Sequence, residues 1–107
     1  MKTRTNKTTV NPGLKLKAEI VASQYGTLMP SLTLEAPREM HWRKVAAALH
    51  RLAAAVQEAT PLNERWCVVV DAHSDSAGRV NLELAKGEQA EADRGLAVLE
   101  QIARAGL

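Results

Sequence analysis

The sequence predicts one small α+β domain built from two successive strand–strand–helix units, in the order ββαββα. Three segments in which apolar and polar residues alternate, and a fourth with a run of β-branched valines, predict the strands; two apolar stripes at helical spacing predict the helices. A shift of 50 residues superposes the first unit on the second without a gap. The length of 107 residues is enough for a single hydrophobic core.

Residues 14–22, 31–35, 65–72 and 79–85 are the predicted strands. In the first, the charged residues Lys15, Lys17 and Glu19 alternate with Leu and Ala, which is typical of a half-buried strand. The third contains three consecutive β-branched valines, 68–70. The segment 73–78 between the last two strands is rich in Ser, Asp and Gly and predicts a turn.

Residues 38–59 and 88–105 are the predicted helices. Pro37 suits the first turn of the first helix, and Thr60-Pro61 ends it. Residues that are apolar except for His41 recur at helical spacing on one stripe of this helix: His41, Val45, Ala48, Leu49, Leu52, Val56 and Ala59. We expect His41, at the start of this stripe, to be partly buried and His50 to face solvent.

The superposition of the two units matches their inward positions. Leu32 meets Leu82 and Leu49 meets Leu99, but the identities are few and are all Leu or Ala. The repeat therefore predicts an architecture and says little about a gene duplication. The simplest packing places both helices on one face of an antiparallel sheet and leaves the other face open.

The basic charge is concentrated at the N-terminus. Residues 1–13 predict a flexible basic arm with Lys2, Arg4 and Lys7, and residues 14–107 predict the single domain. The net charge is +2; without these three residues it is −1. Cys67 is the single cysteine, and no stretch approaches the roughly 20 apolar residues of a membrane span. We expect a cytoplasmic protein with no membrane partner.

The sequence contains no catalytic or cofactor motif. Cys67, Asp71, His73 and Asp75 share one side of an extended strand, but a polar strand end and turn explain them better than a metal site does. His41 and His50 face opposite sides of one helix. We therefore expect a protein that is not an enzyme, with no catalytic residues, no cofactor and no metal.

A small non-catalytic protein-binding module, such as a regulator, adaptor or inhibitor, is the leading functional hypothesis. The proposed contact surface is the Ala-rich side of the first helix: Ala46, Ala47, His50, Ala53 and Ala54. The outer strands also make a homo-oligomer a candidate assembly. The alternative is a nucleic-acid-binding accessory protein that uses Lys2, Arg4, Lys7, Arg43 and Arg51.

Overall fold

The computed structural model describes residues 13–106 and confirms the predicted fold class. Four strands form one antiparallel sheet: β1 (Lys15–Ala22), β2 (Leu28–Glu35), β3 (Cys67–Ser74) and β4 (Ala77–Glu83). Two helices, α1 (Trp42–Ala59) and α2 (Gln89–Ala105), complete the ββαββα order. Residues 1–12 of the proposed arm lie outside the described residues, and Gly13 is in a turn.

The strand order is β1-β2-β4-β3, so β2 and β4 form the centre of the sheet. The two hairpins have equivalent registers under the shift of 50 residues: Lys17 pairs with Thr33 on β2, and Cys67 pairs with Glu83 on β4. Ser31 pairs with Asn81, its own equivalent in the second unit. A local pseudo-twofold axis therefore passes between Ser31 and Asn81.

Each helix packs on the hairpin of the other unit. Helix α1 contacts β3 and β4, and α2 contacts β1 and β2. Helix α1 connects β2 to β3, which run parallel on either side of β4, so its path crosses the β3–β4 half of the sheet. Helix α2 follows β4 and covers the half that α1 leaves open.

The core lies between the sheet and the two helices. Both helices and the inward strand positions contribute fully buried side chains, among them Leu32, Leu52, Val80 and Leu99. Glycine permits close approach at two points. A Cβ at Gly78 would overlap the side chain of Leu49, and a Cβ at Gly95 would lie 2.8 Å from Cγ of Pro30.

Strand β2 begins three residues earlier than predicted and includes Pro30, which pairs with Ile20 of β1. The ladder between β2 and β4 starts only at Ser31. Pro30 therefore pairs with a neighbouring strand on one side only. A strand tolerates proline at such a position, because no partner on the other side needs its missing N–H. At the hairpin, β3 ends two residues later and β4 begins two residues earlier than predicted, because the connecting turn is confined to Asp75 and Ser76. At the other end of the hairpin, β3 begins two residues later and β4 ends two residues earlier than predicted.

Neither of the two helices in residues 13–106 combines the length and the apolar character needed to cross a lipid bilayer.

Candidate partner-binding surface

Helix α1 begins at Trp42, four residues later than predicted. His41 is its N-cap, with extended backbone (φ −63°, ψ 138°), and its Nδ1 accepts a hydrogen bond from the N–H of Arg43 at 3.1 Å. His41 is exposed, so its expected position on the buried stripe is wrong. The reason is local: an imidazole that accepts from the first turn satisfies one of the free N–H groups at the helix start.

Trp42 is a large aromatic side chain at the surface, with 51% of its area exposed. Its ring stacks with that of His41 at 5.6 Å between centroids. The guanidinium carbon of Arg43 lies 5.4 Å from the centroid of the Trp42 ring, within the range of a cation–π contact. These two contacts restrain an exposed aromatic ring at the start of α1.

The Ala-rich surface predicted on α1 is present in part. Ala47, His50 and Ala54 are exposed and lie three or four residues apart, on one side of the helix. Ala46 and Ala53 are half-buried, and Ala53 packs against the core. The accessible part of the predicted surface is therefore narrower than the sequence indicates.

Three basic side chains flank the exposed alanines. Arg43, Lys44 and Arg51 are exposed, and Lys44 and Arg51 line a shallow groove with Met40 and Ala47. We call this surface the α1 face; its residues are Arg43, Lys44, Ala47, His50, Arg51 and Ala54. Both helix residues of the nucleic-acid hypothesis, Arg43 and Arg51, belong to it, whereas Lys2, Arg4 and Lys7 lie outside the described residues.

The corresponding surface of α2 is different in charge. The shift of 50 residues places these side chains at the positions of the α1 face: Asp93, Arg94, Ala97, Glu100, Gln101 and Arg104. Two acidic residues balance the two arginines, and Nε of Arg94 donates to Oε2 of Glu64 at 2.7 Å. The basic character is therefore specific to α1 and is not a consequence of the repeat.

The open face of the sheet is polar. At its centre the hydroxyl of Ser31 donates to Oδ1 of Asn81 at 2.7 Å, and both residues are buried. On the same face, a depression is lined by three basic side chains, two acidic ones and one threonine: Lys15, Lys17, Arg79, Glu19, Glu35 and Thr33. Lys17 and Glu19 form an ion pair at 3.8 Å. The opposite charges on this face therefore nearly cancel.

Glu91, in the first turn of α2, is a buried carboxylate that the sequence analysis did not single out. It accepts hydrogen bonds from the N–H groups of Ala85, Lys86 and Gly87 at 2.8–2.9 Å, and from Nε1 of Trp66 at 3.0 Å. Burial raises the pKa of Glu91, but the backbone hydrogen bonds together with Trp66 outweigh it and leave the pKa below its ordinary value. Three of the four donors are backbone N–H groups of the β4–α2 connection, so the carboxylate holds this connection in place.

The polar residues near the β3–β4 turn are spread along the surface. Cys67, Asp71 and His73 are exposed on β3, and Asp75 is exposed in the turn. Within residues 13–106, no three His, Cys, Asp or Glu side chains come close enough to share a metal ion.

Comparison with known proteins found no match to this chain among protein-family models, curated proteins or solved structures.

Proposed function

We propose that the protein is a small non-catalytic binding module whose α1 face docks an acidic surface of another protein. The observation that carries the proposal is the composition of that face. Exposed alanines form a smooth strip, three cations flank it, and the half-exposed Trp42 lies at its N-terminal end.

The residue types match those that contribute most to protein interfaces. Trp and Arg are enriched among interface residues whose truncation weakens binding strongly. Arg43 contacts the Trp42 ring in the free protein, so less side-chain freedom is lost when a partner binds. Alanines at 47 and 54 add no long side chains, which allows another surface to approach the helix closely.

The charge of the α1 face indicates the chemistry of the partner. Arg43, Lys44 and Arg51 are its ionised groups, and the one acidic residue of α1, Glu58, lies near the far end of the helix. An acidic surface would meet attraction along the whole face, whereas a basic one would meet repulsion. We therefore expect the association rate to fall as salt is added.

The repeat supplies a matched control for a cross-linking test. A photo-reactive amino acid replaces Ala47 on α1 in one variant and the equivalent Ala97 on α2 in another, and both are expressed in the source cell. We expect a discrete protein adduct at position 47, none at 97, and loss of the adduct when Arg43→Glu and Arg51→Glu are added. The captured protein should carry an acidic segment at the cross-linked site.

Three outcomes would overturn the proposal: no adduct at position 47, equal adducts at 47 and 97, or an adduct that survives the charge reversals. Each variant must first give a far-UV circular dichroism spectrum like that of the native protein.

Nucleic-acid binding is the second candidate, because Arg43, Lys44 and Arg51 are exposed on one helix. Three phosphate contacts would give weak binding that falls steeply with salt, with a slope of about −3 in log K against log salt. A labelled DNA duplex and a labelled RNA duplex at low salt are the probes. Duplex binding that is lost with Arg43→Glu and Arg51→Glu would favour this candidate over the protein partner.

A further inference from the structure

Strand β3 lies at one edge of the sheet. It pairs with β4 on one side, and no strand in residues 13–106 pairs with its other side. An edge strand presents a row of free N–H and C=O groups, and proteins commonly protect such edges with charged side chains. The side chains along β3 therefore decide whether it can accept another strand.

The two edges of the sheet are equivalent by the repeat but are protected differently. On the face of the sheet away from the helices, β1 has Lys17 and Glu19. At the equivalent positions β3 has Cys67 and Val69. Charges therefore protect β1 along its middle, whereas β3 is uncharged from Cys67 to Val70.

The helix layer also leaves part of β3 uncovered. Val70 faces the helix side of the sheet, yet 39% of its area is exposed. Val68 and Val69 are half-buried on opposite faces. The free edge thus combines unpaired backbone with valine side chains on both sides of the sheet.

We propose that β3 pairs with β3 of a second copy of this chain, antiparallel and centred on Val69. The two four-stranded sheets then become one continuous sheet of eight strands. In this register Val69 faces Val69 of the second copy, and Val68 faces Val70 twice. Cross-strand pairs of β-branched side chains stabilise an antiparallel ladder, and the twofold symmetry closes the assembly at two copies.

The matching of valines selects this register, because a register centred on Val68 or on Val70 leaves only one valine opposite a valine. Charge favours a second copy as the occupant. Asp71 lies opposite Cys67 of the second copy, and extension of the ladder brings Arg65 diagonally next to Asp71 of that copy, twice by symmetry. A register centred on Val70 would instead place the two Asp71 carboxylates diagonally opposite each other, which is unfavourable. An acidic or basic peptide would find no opposite charge along Cys67–Val70, whereas a second β3 offers the same valines.

The first test compares one substitution at each edge. Val69→Lys places a charge on β3, and Glu19→Lys places the same side chain at the equivalent position of β1. Sedimentation equilibrium of the full chain should show a dimer for the native protein and for Glu19→Lys. We expect the dimer dissociation constant of Val69→Lys to rise at least about tenfold, since like charges would meet at the twofold axis.

Arg65→Glu tests the charged pair independently of Val69. Arg65 is exposed, so its replacement should leave the fold intact while it weakens the dimer severalfold. A native protein that is monomeric up to about millimolar concentration would overturn the proposal. A dimer that Val69→Lys and Glu19→Lys weaken equally would overturn it as well.

A cross-linking test measures the register directly. In a Cys67→Ser background, Val69→Cys should form an intermolecular disulfide under mild oxidation, because the two side chains face each other across the axis. Glu19→Cys in the same background is the matched control and should stay reduced. If Val69→Cys stays reduced while the protein is a dimer, the pairing proposed here is wrong.

Discussion

Glu91 illustrates how one side chain can organise a connection. Its carboxylate gathers three consecutive backbone N–H groups and the indole of Trp66, and this links the β4–α2 loop to the start of β3. Gly87, with φ of 74°, gives the loop the left-handed conformation that turns its N–H toward Glu91. A neutral amide would keep the shape of the side chain but would accept fewer of these bonds.

We predict that Glu91→Gln lowers the free energy of unfolding at neutral pH. Because the pKa of Glu91 is lowered in the folded state, its contribution is complete above the ordinary pKa of a glutamate. The contribution is lost as the pH falls through the lowered pKa. Urea unfolding of both proteins across the acid range should show the difference between them shrinking toward low pH; a difference that does not change with pH would contradict this.

The N-cap of α1 can be improved. Histidine at position 41 accepts one hydrogen bond, but aspartate is a better cap and adds a negative charge next to the positive end of the helix dipole. We predict that His41→Asp stabilises the protein by about 0.5–1 kcal/mol, whereas His41→Ala costs a similar amount. Thermal unfolding measures both changes in stability. A His41→Ala variant as stable as the native protein would show that the imidazole does not act as a cap.

At the scale of elements, the contact between α1 and β4 depends on the absence of a side chain at Gly78. A Cβ there would overlap Leu49, which is buried in the core. We predict that Gly78→Ala costs about 1–3 kcal/mol, since a packed core does not absorb an extra methyl group freely. Chemical denaturation measures this cost.

A double mutant separates that overlap from other effects of the glycine. Leu49→Ala alone should cost about 2–5 kcal/mol. In the double variant the cost of Gly78→Ala should largely disappear, because the side chain it meets has been removed. Strictly additive costs would contradict the overlap with Leu49 as the reason for a glycine at position 78.

For the whole molecule, the exchange of helices between the two hairpins makes each unit dependent on the other. Helix α1 covers the hairpin of the second unit, and α2 covers that of the first. In each strand–strand–helix unit, the hairpin packs mainly against the helix of the other unit. We therefore expect the chain to unfold in one cooperative transition.

Trp66 can report on this cooperativity. In a Trp42→Phe background it is the only tryptophan, and it lies just before β3 in the second unit. We predict that its fluorescence and the far-UV circular dichroism signal change together in urea. Leu32→Ala, in the core of the first unit, should shift both midpoints to lower urea, whereas the exposed control Lys17→Ala should shift neither. Two separated transitions would contradict the prediction that the two units unfold together.

The local patterns of the sequence determined the elements and their inward sides. Alternation placed Leu32, Leu34, Val80 and Leu82 inward, and all four are buried. This works because the two faces of a strand differ at every residue, so a short segment is enough to assign them. The shift of 50 residues likewise matched positions that the observed registers relate by symmetry.

Strand order, helix placement and exposure depended on contacts between distant segments. Only the tertiary structure shows that β4 lies between β2 and β3, that each helix covers the opposite hairpin, and that Val70 is left uncovered. Hydrophobic pattern indicates which side of a segment is buried, but not which segment buries it. The start of α1 was missed for a local reason instead: His41 fits the apolar stripe by its spacing, but its ring caps the helix from the position before the first helical residue.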